Sequence, residues 1–274
     1  MRTAPLLRGA LAALVAFLLL AGTAAHAGRS CETRKLTPQA LERGLELAER
    51  TRQVLEAEHE RTGLQVVVLA RAGQDLSKYG LRWSHLGFAY REATPARPVW
   101  RVVHKLNHCG TADGALYRQG LGEFFLDDLW RQQAAWSPLP PALQAGLLPV
   151  LRDDARLAAL HHKPYSMVSY AWGSRYQQSN QWAIETLALA QPQAVSGRAQ
   201  AQAWLAAQGY QPTVLKLGPL TRLGGRMTAA NIAFDDHPDA KRFSDRIETV
   251  TADSVFAWLP RAGLGAAPRT LQLD

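Results

Sequence analysis

The sequence contains few cysteines and few lysines, and it has no block of basic residues. Cys31 and Cys109 are the only cysteines in 274 residues. In an oxidising compartment an isolated pair is more often a disulfide than two free thiols, so we expect a Cys31–Cys109 bond and no cysteine nucleophile. The formal net charge is +8, yet no basic run carries the interleaved aromatic residues of a nucleic-acid binder. Nucleic acid is therefore not an expected partner.

The sequence also lacks internal repeats, low-complexity linkers and a clear domain boundary. With 47% hydrophobic and 20% charged residues, a chain of this length can bury one substantial core. Residues 1–27 carry two arginines, an apolar run and the small-x-small sequence Ala25-His26-Ala27, which predicts a signal peptide cleaved near Ala27. An uncleaved anchor is the alternative, but the apolar run is short for a span of ~20 residues. We expect a single globular domain over residues 28–274, periplasmic or secreted, without an integral membrane span.

The first part of this domain is predicted to be one helix followed by three strands. Thr37 and Pro38 form a helix start, and Gly63 ends the amphipathic pattern. β-Branched and aromatic runs then predict strands at Gln65–Arg71, Trp83–Arg91 and Val99–Lys105. Because the connections are short, an antiparallel meander is favoured over parallel crossover units.

The remaining segments predict further helices and strands around this meander. Residues 107–160 combine acidic-aromatic, proline-rich and helical stretches, which indicates a helical insertion packed on the sheet. In the last third of the chain, strands are predicted at Pro212–Leu217, Arg226–Phe234 and Ile247–Val250. The expected fold class is α+β, with an antiparallel sheet packed against helices.

The stretch Tyr165–Ala190 is the expected site. An aromatic and polar run gives way there to a short helix, for which Ser179 or Asn180 can supply the N-cap oxygen. Backbone N–H groups at a helix start are unpaired, so they stabilise an anion or a nucleophile. Several secreted thiol hydrolases place a cysteine at such a turn, whereas this chain has serine and asparagine. The sequence thus indicates the location of a site better than its reaction.

The predicted strands contain three segments that precede a predicted helix start in the chain. The strand segments are Val66–Leu69, Ser84–Phe88 and Val102–His104, and the helix start is Ser179–Trp182. This order resembles the permuted papain-like hydrolases related to NlpC-type cell-wall peptidases. The resemblance implies a papain-like fold in circularly permuted order, with a histidine on a strand and the nucleophile at the helix start. The mature chain also resembles a bacterial family of secreted proteins catalogued as domain of unknown function 2145. The segments that carry this resemblance are LNHC, YQQSNQW, AQAWL, GYQPT, FDDHP and DSVFAWL. This second resemblance implies no known reaction.

The papain-like resemblance and the chemistry of the side chains assign candidate roles. A histidine on a strand can take a proton from a hydroxyl at a helix start when a third residue fixes its tautomer. The candidate catalytic residues are His85 as base, Ser179 as nucleophile, and His104 or Asn107 as orienting residue. The candidate substrate-binding residues are Asn180, Gln181, Tyr176 and Trp182. We expect His85 to face the helix start; the alternatives are a satisfied core histidine and, for Ser179, a simple helix cap.

Two classes of function remain open. The first is an amide or ester hydrolase or acyltransferase acting on cell-envelope material. The second is a catalytically silent protein of the same fold that binds an envelope component or a protein partner. The histidine-bearing strand favours the first, and the missing cysteine favours the second. Asp235, Asp236 and His237 precede a proline and are interpreted as a polar turn, so no metal and no cofactor is expected.

Overall fold

The computed structural model describes residues 35–191 and 195–274, so the predicted signal peptide and Cys31 lie outside the described residues. Its main element is a six-stranded antiparallel sheet with the order β4-β3-β2-β1-β5-β8. The strands of this sheet are β1 (Val66–Arg71), β2 (His85–Glu92), β3 (Val99–Asn107), β4 (Gly114–Gly120), β5 (Gln133–Pro138) and β8 (Arg269–Gln272). A second sheet pairs β6 (Thr213–Lys216) with β7 (Arg246–Thr249).

Helices cover both faces of the six-stranded sheet. In chain order, the α-helices of the described residues are α1 (Pro38–Thr62), α2 (Leu121–Phe125), α3 (Pro141–Arg152), α4 (Asp154–Ala158), α5 (Ser179–Leu187), α6 (Arg198–Ala207), α7 (Pro219–Thr228), α8 (Asp239–Arg242) and α9 (Ala252–Arg261). The architecture is therefore α+β, with an antiparallel sheet packed against helices.

The predicted helix start and meander are confirmed. Thr37 Oγ1 accepts a hydrogen bond from the Ala40 backbone N–H at 3.1 Å, Pro38 is the first helical residue, and Gly63 ends α1 in the left-handed region at φ 73°. That backbone conformation suits glycine because it has no Cβ. Strands β1, β2 and β3 follow as antiparallel neighbours; residues 72–84 join the first two, and the shorter segment 93–98 joins the second and third.

Alternate residues of the central strands contact different helices because side chains along a strand point to opposite faces. Val66, Val68 and Phe88 pack with α3, α5 and α9 in one core. Val67, Leu69 and Val102 pack with α1 and α2 in the other. The sheet is thus buried on both sides, and α5 lies on the side opposite α2.

Two predictions about secondary structure are wrong. Residues 107–160 are not a helical insertion, because β4 and β5 from this segment occupy positions within the six-stranded sheet. The β-branched and aromatic cues were sparse in these strands, whose sequences GALYRQG and QAAWSP contain small and polar residues. The segment predicted as a strand at Arg226–Phe234 begins inside α7 and continues as turns.

The predicted disulfide involves a residue outside the described part of the chain and stays a prediction. Cys109 lies in the turn that joins β3 to β4, and no free cysteine is found among the described residues. A bond from this turn to Cys31 would fix the segment that precedes α1 to the edge of the sheet formed by β4.

Candidate functional site: a cavity at the end of the central strands

A cavity of about 610 Å³ lies where β1 ends and β2 begins. The β1–β2 connection, the start of α5, the strands β6 and β7, and α7 all contribute to its wall. Its apolar lining includes Leu76, Tyr79, Leu81, Trp83, Leu129, Trp130, Met167, Val168, Leu215, Leu217, Ile232, Phe234 and Val250. Its polar and charged lining includes Gln74, Asp75, Lys78, Ser84, His85, Asp128, Tyr165, Gln178, Ser179, Asn180, Thr249 and Thr251. The cavity therefore has an extensive apolar wall and a polar floor.

Gln178 provides the N-cap of α5, so the prediction that Ser179 or Asn180 caps this helix is wrong. The Gln178 side-chain oxygen accepts from the Asn180 backbone N–H at 2.8 Å. Its amide nitrogen donates to the Val250 carbonyl, next to β7. Ser179 is already the first helical residue. The long glutamine side chain thus satisfies the helix start and also ties it to the smaller sheet.

Asn180 and Ser179 have different structural partners. The Asn180 Oδ1 atom accepts from the Leu86 backbone N–H at 3.0 Å, which joins α5 to β2. The Ser179 Oγ atom lies 3.3 Å from the Tyr165 hydroxyl oxygen. Burial raises the pKa of Tyr165 above its ordinary value, so its phenol keeps its proton. Ser179 therefore lies beside a neutral hydroxyl and not beside a base.

His85 and His104 form a buried pair that ends at Gln119. The His85 Nε2 and His104 Nδ1 atoms are 2.8 Å apart, and His104 Nε2 lies 2.8 Å from the Gln119 Oε1 atom. Burial and the positive charge of Arg71 lower the pKa of His85 well below its ordinary value and that of His104 to about 4. Both rings are therefore neutral at neutral pH.

Neutrality fixes the direction of this hydrogen-bond chain. A neutral imidazole has one N–H, and the Gln119 oxygen can only accept, so His104 donates from Nε2 and accepts at Nδ1. His85 must then donate from Nε2 to His104. The Nδ1 atom of His85 keeps its lone pair, although the low pKa makes it a weak base. The hydrogen bond to His104 thus fixes the tautomer of His85.

Asn107, the other predicted orienting residue, is not part of this chain. It is the last residue of β3, and its side-chain amide donates to the neighbouring His108 carbonyl at 3.3 Å. His104 precedes it by three residues and faces the opposite side of the strand. Asn107 therefore cannot fix the tautomer of His85 in this arrangement.

His85 does not face the start of α5, so this prediction is wrong. His85 pairs across the sheet with Arg71, and both side chains lie against Phe124 of α2. The adjacent residue, Leu86, is in the core that contains α5. Because neighbouring side chains on a strand point to opposite faces, His85 and Ser179 approach the cavity from different sides of the sheet.

Gly87 explains how the two histidines come together. It lies between them on the same face, and a Cβ atom at this position would be 2.6 Å from the Val103 carbonyl oxygen and 2.7 Å from the His104 Cβ atom. Real Cβ atoms do not approach so closely, so a side chain here would displace β3. The glycine in Ser84-His85-Leu86-Gly87-Phe88 thus serves the packing of His104 over β2.

Three of the four predicted substrate-binding residues do not line the cavity. Trp182 and Gln181 are fully buried; Trp182 packs edge-on against Phe88, and the Gln181 amide donates to backbone carbonyls. Their burial excludes direct contact with a ligand. Tyr176 donates from its hydroxyl to Asp235 at 3.1 Å, outside the cavity. Asn180 alone of the four lies on the cavity floor.

Sequence reasoning missed most of the cavity wall. Gln178 was missed because glutamine is not among the preferred N-cap residues. Leu217, Ile232 and Phe234 come from the last third of the chain, where short apolar residues between turns gave no sign of a shared surface. Met167 lies within the stretch predicted as the site, but no pattern distinguished it from core residues.

Within residues 35–191 and 195–274, no group of three or more side chains from His, Cys, Asp and Glu is arranged to hold a metal ion. Asp236 accepts from the Tyr170 backbone N–H at 2.7 Å and lies 2.9 Å from the His237 ring nitrogen, as in a polar turn. The same part of the chain has no helix of the length and apolar character needed to cross a bilayer.

The fold and the cavity define an α+β protein with a pocket at the end of its central strands. A family model described as "Uncharacterized protein conserved in bacteria (DUF2145)" matches residues 58–259. The match covers more than half of the chain, and the chain belongs to this family. Neither the curated proteins nor the solved structures contain a match to the sequence.

Proposed function

We propose that this protein is an exported binding protein that holds an amphipathic, acyl-chain-bearing molecule of the cell envelope without converting it. The observation that carries the proposal is the cavity itself, with its extensive apolar wall and small polar floor. Export follows from the predicted signal peptide over residues 1–27.

The size and lining of the cavity support this ligand class. Pockets for small organic ligands are commonly ~300–1,000 Å³ with mainly apolar walls and a few polar groups that set orientation. The volume of about 610 Å³ lies within that range. Leu217, Ile232 and Phe234 offer an acyl chain a surface without hydrogen-bonding side chains. The Ser179 hydroxyl and the Asn180 amide give the other end of the ligand polar contacts.

A hydrolase or acyltransferase of papain-like fold in permuted order is the second candidate. The observation that favours it is that His85 and Ser179 both line the cavity, with His104 behind His85 at 2.8 Å. Two features oppose it: the hydrogen bond to His104 occupies His85 Nε2, and the Ser179 hydroxyl has Tyr165 as its neighbour. A general base works best with a pKa near the operating pH, and that of His85 is far below it.

A fluorescence titration with dansyl-labelled undecanoic acid tests binding. Val168 lines the cavity, so the larger side chain of the variant Val168→Trp should occupy space that the acyl chain needs. We expect this variant to bind roughly tenfold more weakly or worse. Val54→Trp is the matched control, because Val54 is also partly buried but packs in the core on the α1 side of the sheet. Equal affinities for wild type and Val168→Trp would refute the proposed binding site.

Turnover is tested separately with p-nitrophenyl acyl esters and envelope peptides. The proposal expects no hydrolysis above that of a buffer control. Hydrolysis that disappears equally in Ser179→Ala and His85→Ala would contradict the binding-only function and support the enzyme, since residues that act as one unit lose activity together.

A further inference from the structure

Helix α7 carries its apolar side chains on the outside. Leu220, Leu223 and Met227 recur at i, i+3 and i+7 and are 85%, 55% and 78% exposed. This spacing places them on one side of the helix. Thr221 and Gly225, on the other side, line the cavity. We call the three exposed side chains the α7 stripe. Isolated apolar residues on a surface are ordinary, but an aligned stripe on a two-sided helix indicates a contact surface.

Positive charges lie on α7 and on the β6–β7 strand pair. Lys216 and Arg246 are directly opposite each other across β6 and β7, and both are exposed. Like charges in opposite positions of a strand pair are destabilising, and Glu248, 4.0 Å from Arg246 on the same strand, offsets part of this repulsion. Arg226, on α7 itself, is also exposed. Of the nearby carboxylates, Asp245 pairs with Arg222 at 2.6 Å, and Glu248 pairs with Lys241 as well as with Arg246.

We propose that α7 docks on an anionic lipid bilayer, with the α7 stripe in the interfacial region and Lys216, Arg226 and Arg246 at the headgroups. An interfacial amphipathic helix has this combination of an apolar side and flanking basic residues. Each basic residue near an anionic surface adds attraction, and the apolar side chains add burial. The charge pattern thus selects a lipid surface with phosphate-bearing anionic headgroups.

The area of the stripe favours a bilayer over a second copy of the chain or another protein. A stable protein interface needs roughly 800 Å² from each partner. Three side chains on a ten-residue helix supply only a fraction of that area. A bilayer needs no matching shape, so a short stripe supported by charge suffices. Docking would also bring the cavity close to the lipid, because Thr221 and Gly225 of the same helix line the cavity. A ligand from the bilayer would then have a short path to the cavity, a consequence that rests on the proposed function.

Vesicle flotation with purified protein tests the docking. Wild type should float with vesicles of equal parts phosphatidylcholine and phosphatidylglycerol, and several-fold less with phosphatidylcholine alone. Replacing Leu220, Leu223 and Met227 together by serine should reduce flotation by roughly tenfold or more, because the apolar contact is lost. The matched control replaces Leu41 and Leu45, two exposed leucines of α1, by serine and should float like wild type. All proteins share one N-terminus, so any contribution of that segment cancels.

A second variant tests the charges without touching the α7 stripe. Lys216→Glu with Arg246→Glu should weaken flotation with anionic vesicles and reduce its sensitivity to salt. Three results would overturn the docking: no flotation of wild type with anionic vesicles, flotation of the triple serine variant equal to that of wild type, or concentration-dependent self-association that only the triple variant loses. The dansyl titration is done without lipid, so a failure of docking and a failure of the cavity to bind ligand are distinguishable.

Discussion

Lys105 is fully buried between β3 and the segment that leads to α5, which makes the stability of the protein depend on pH. Its Nζ atom donates to the His162 carbonyl at 2.6 Å and to the Gln177 Oε1 atom at 2.9 Å, and its side chain has 0% exposure. Burial, with the positive charge of Arg198, lowers the pKa of Lys105 from 10.5 to about 7, although Glu185 opposes the shift.

The sign of the effect follows from proton binding. The folded-state pKa lies below that of the unfolded chain, so between these values the unfolded state binds more protons and the free energy of unfolding rises with pH. At about 1.4 kcal/mol per pH unit, the difference between 10.5 and about 7 corresponds to about 5 kcal/mol in all. The free-energy cost of burying the protonated Lys105 is largest below the folded-state pKa. Roughly 2 kcal/mol of it should be relieved between about pH 7 and about pH 9.

Urea unfolding of wild type and Lys105→Met across this pH range measures the effect. Methionine has a similar length and no charge, so the difference in unfolding free energy between the two proteins should change by about 2 kcal/mol across the range. Lys163→Met is the matched control, because that lysine is 67% exposed and forms only a surface ion pair with Asp113. Parallel pH profiles for wild type and Lys105→Met would refute the assignment of a depressed pKa to Lys105.

Two further predictions concern the N-terminal segment and the start of α5. Thiol titration of the unfolded, unreduced protein should detect no free thiol if Cys31 and Cys109 are bonded; two thiols per chain would show that they are not. Gln178→Ala should cost about 1–2 kcal/mol of unfolding free energy, because it removes the N-cap of α5 and the link to Val250, whereas Ser179→Ala should cost less. Equal losses in urea unfolding would contradict the cap assignment.

The first sheet strands could be predicted because their local signals agree with the fold. The run Val66-Val67-Val68-Leu69 is β-branched and apolar, and in the structure it is buried on both faces of the sheet. Thr37, Pro38 and Gly63 bound α1 through local cap chemistry that requires no tertiary contact. The short connection between β2 and β3 then favoured antiparallel pairing of these two strands.

The continuous burial of β2 explains why its position could be predicted and also why the direction of the His85 side chain could not. Residues 85–90 are all buried, so β2 shows no alternation of polar and apolar positions. Without alternation the sequence does not say which residues belong to which face, and an error of one position exchanges the two faces. The contact of His85 with Phe124 depends on α2, which comes more than thirty residues later and was not predicted as a separate helix.

The α7 helix was missed because its residues contradict ordinary helix signals. Gly224 and Gly225 lie inside it, and glycine in a helix interior costs about 1 kcal/mol relative to alanine. Its apolar residues point outward, so no buried stripe indicates an element of the core. The exposed apolar side of this helix is the surface that we propose docks on a bilayer.

The charges around His85 and His104 distinguish a binding protein from a hydrolase more clearly than the presence of serine at position 179 does. A catalytic histidine is assisted when the group behind it is an anion, because the anion stabilises the imidazolium that forms on proton transfer. Here the chain from His85 through His104 ends at the neutral amide of Gln119, and the charge that lowers the pKa of both rings is the cation Arg71, opposed at His104 by its ion-pair partner Asp127. Burial and the charge of Arg71 disfavour a protonated His85, which weakens the case for His85 as a general base. The same features suit a binding site, since a neutral His85 ring can contact a ligand without adding a buried charge.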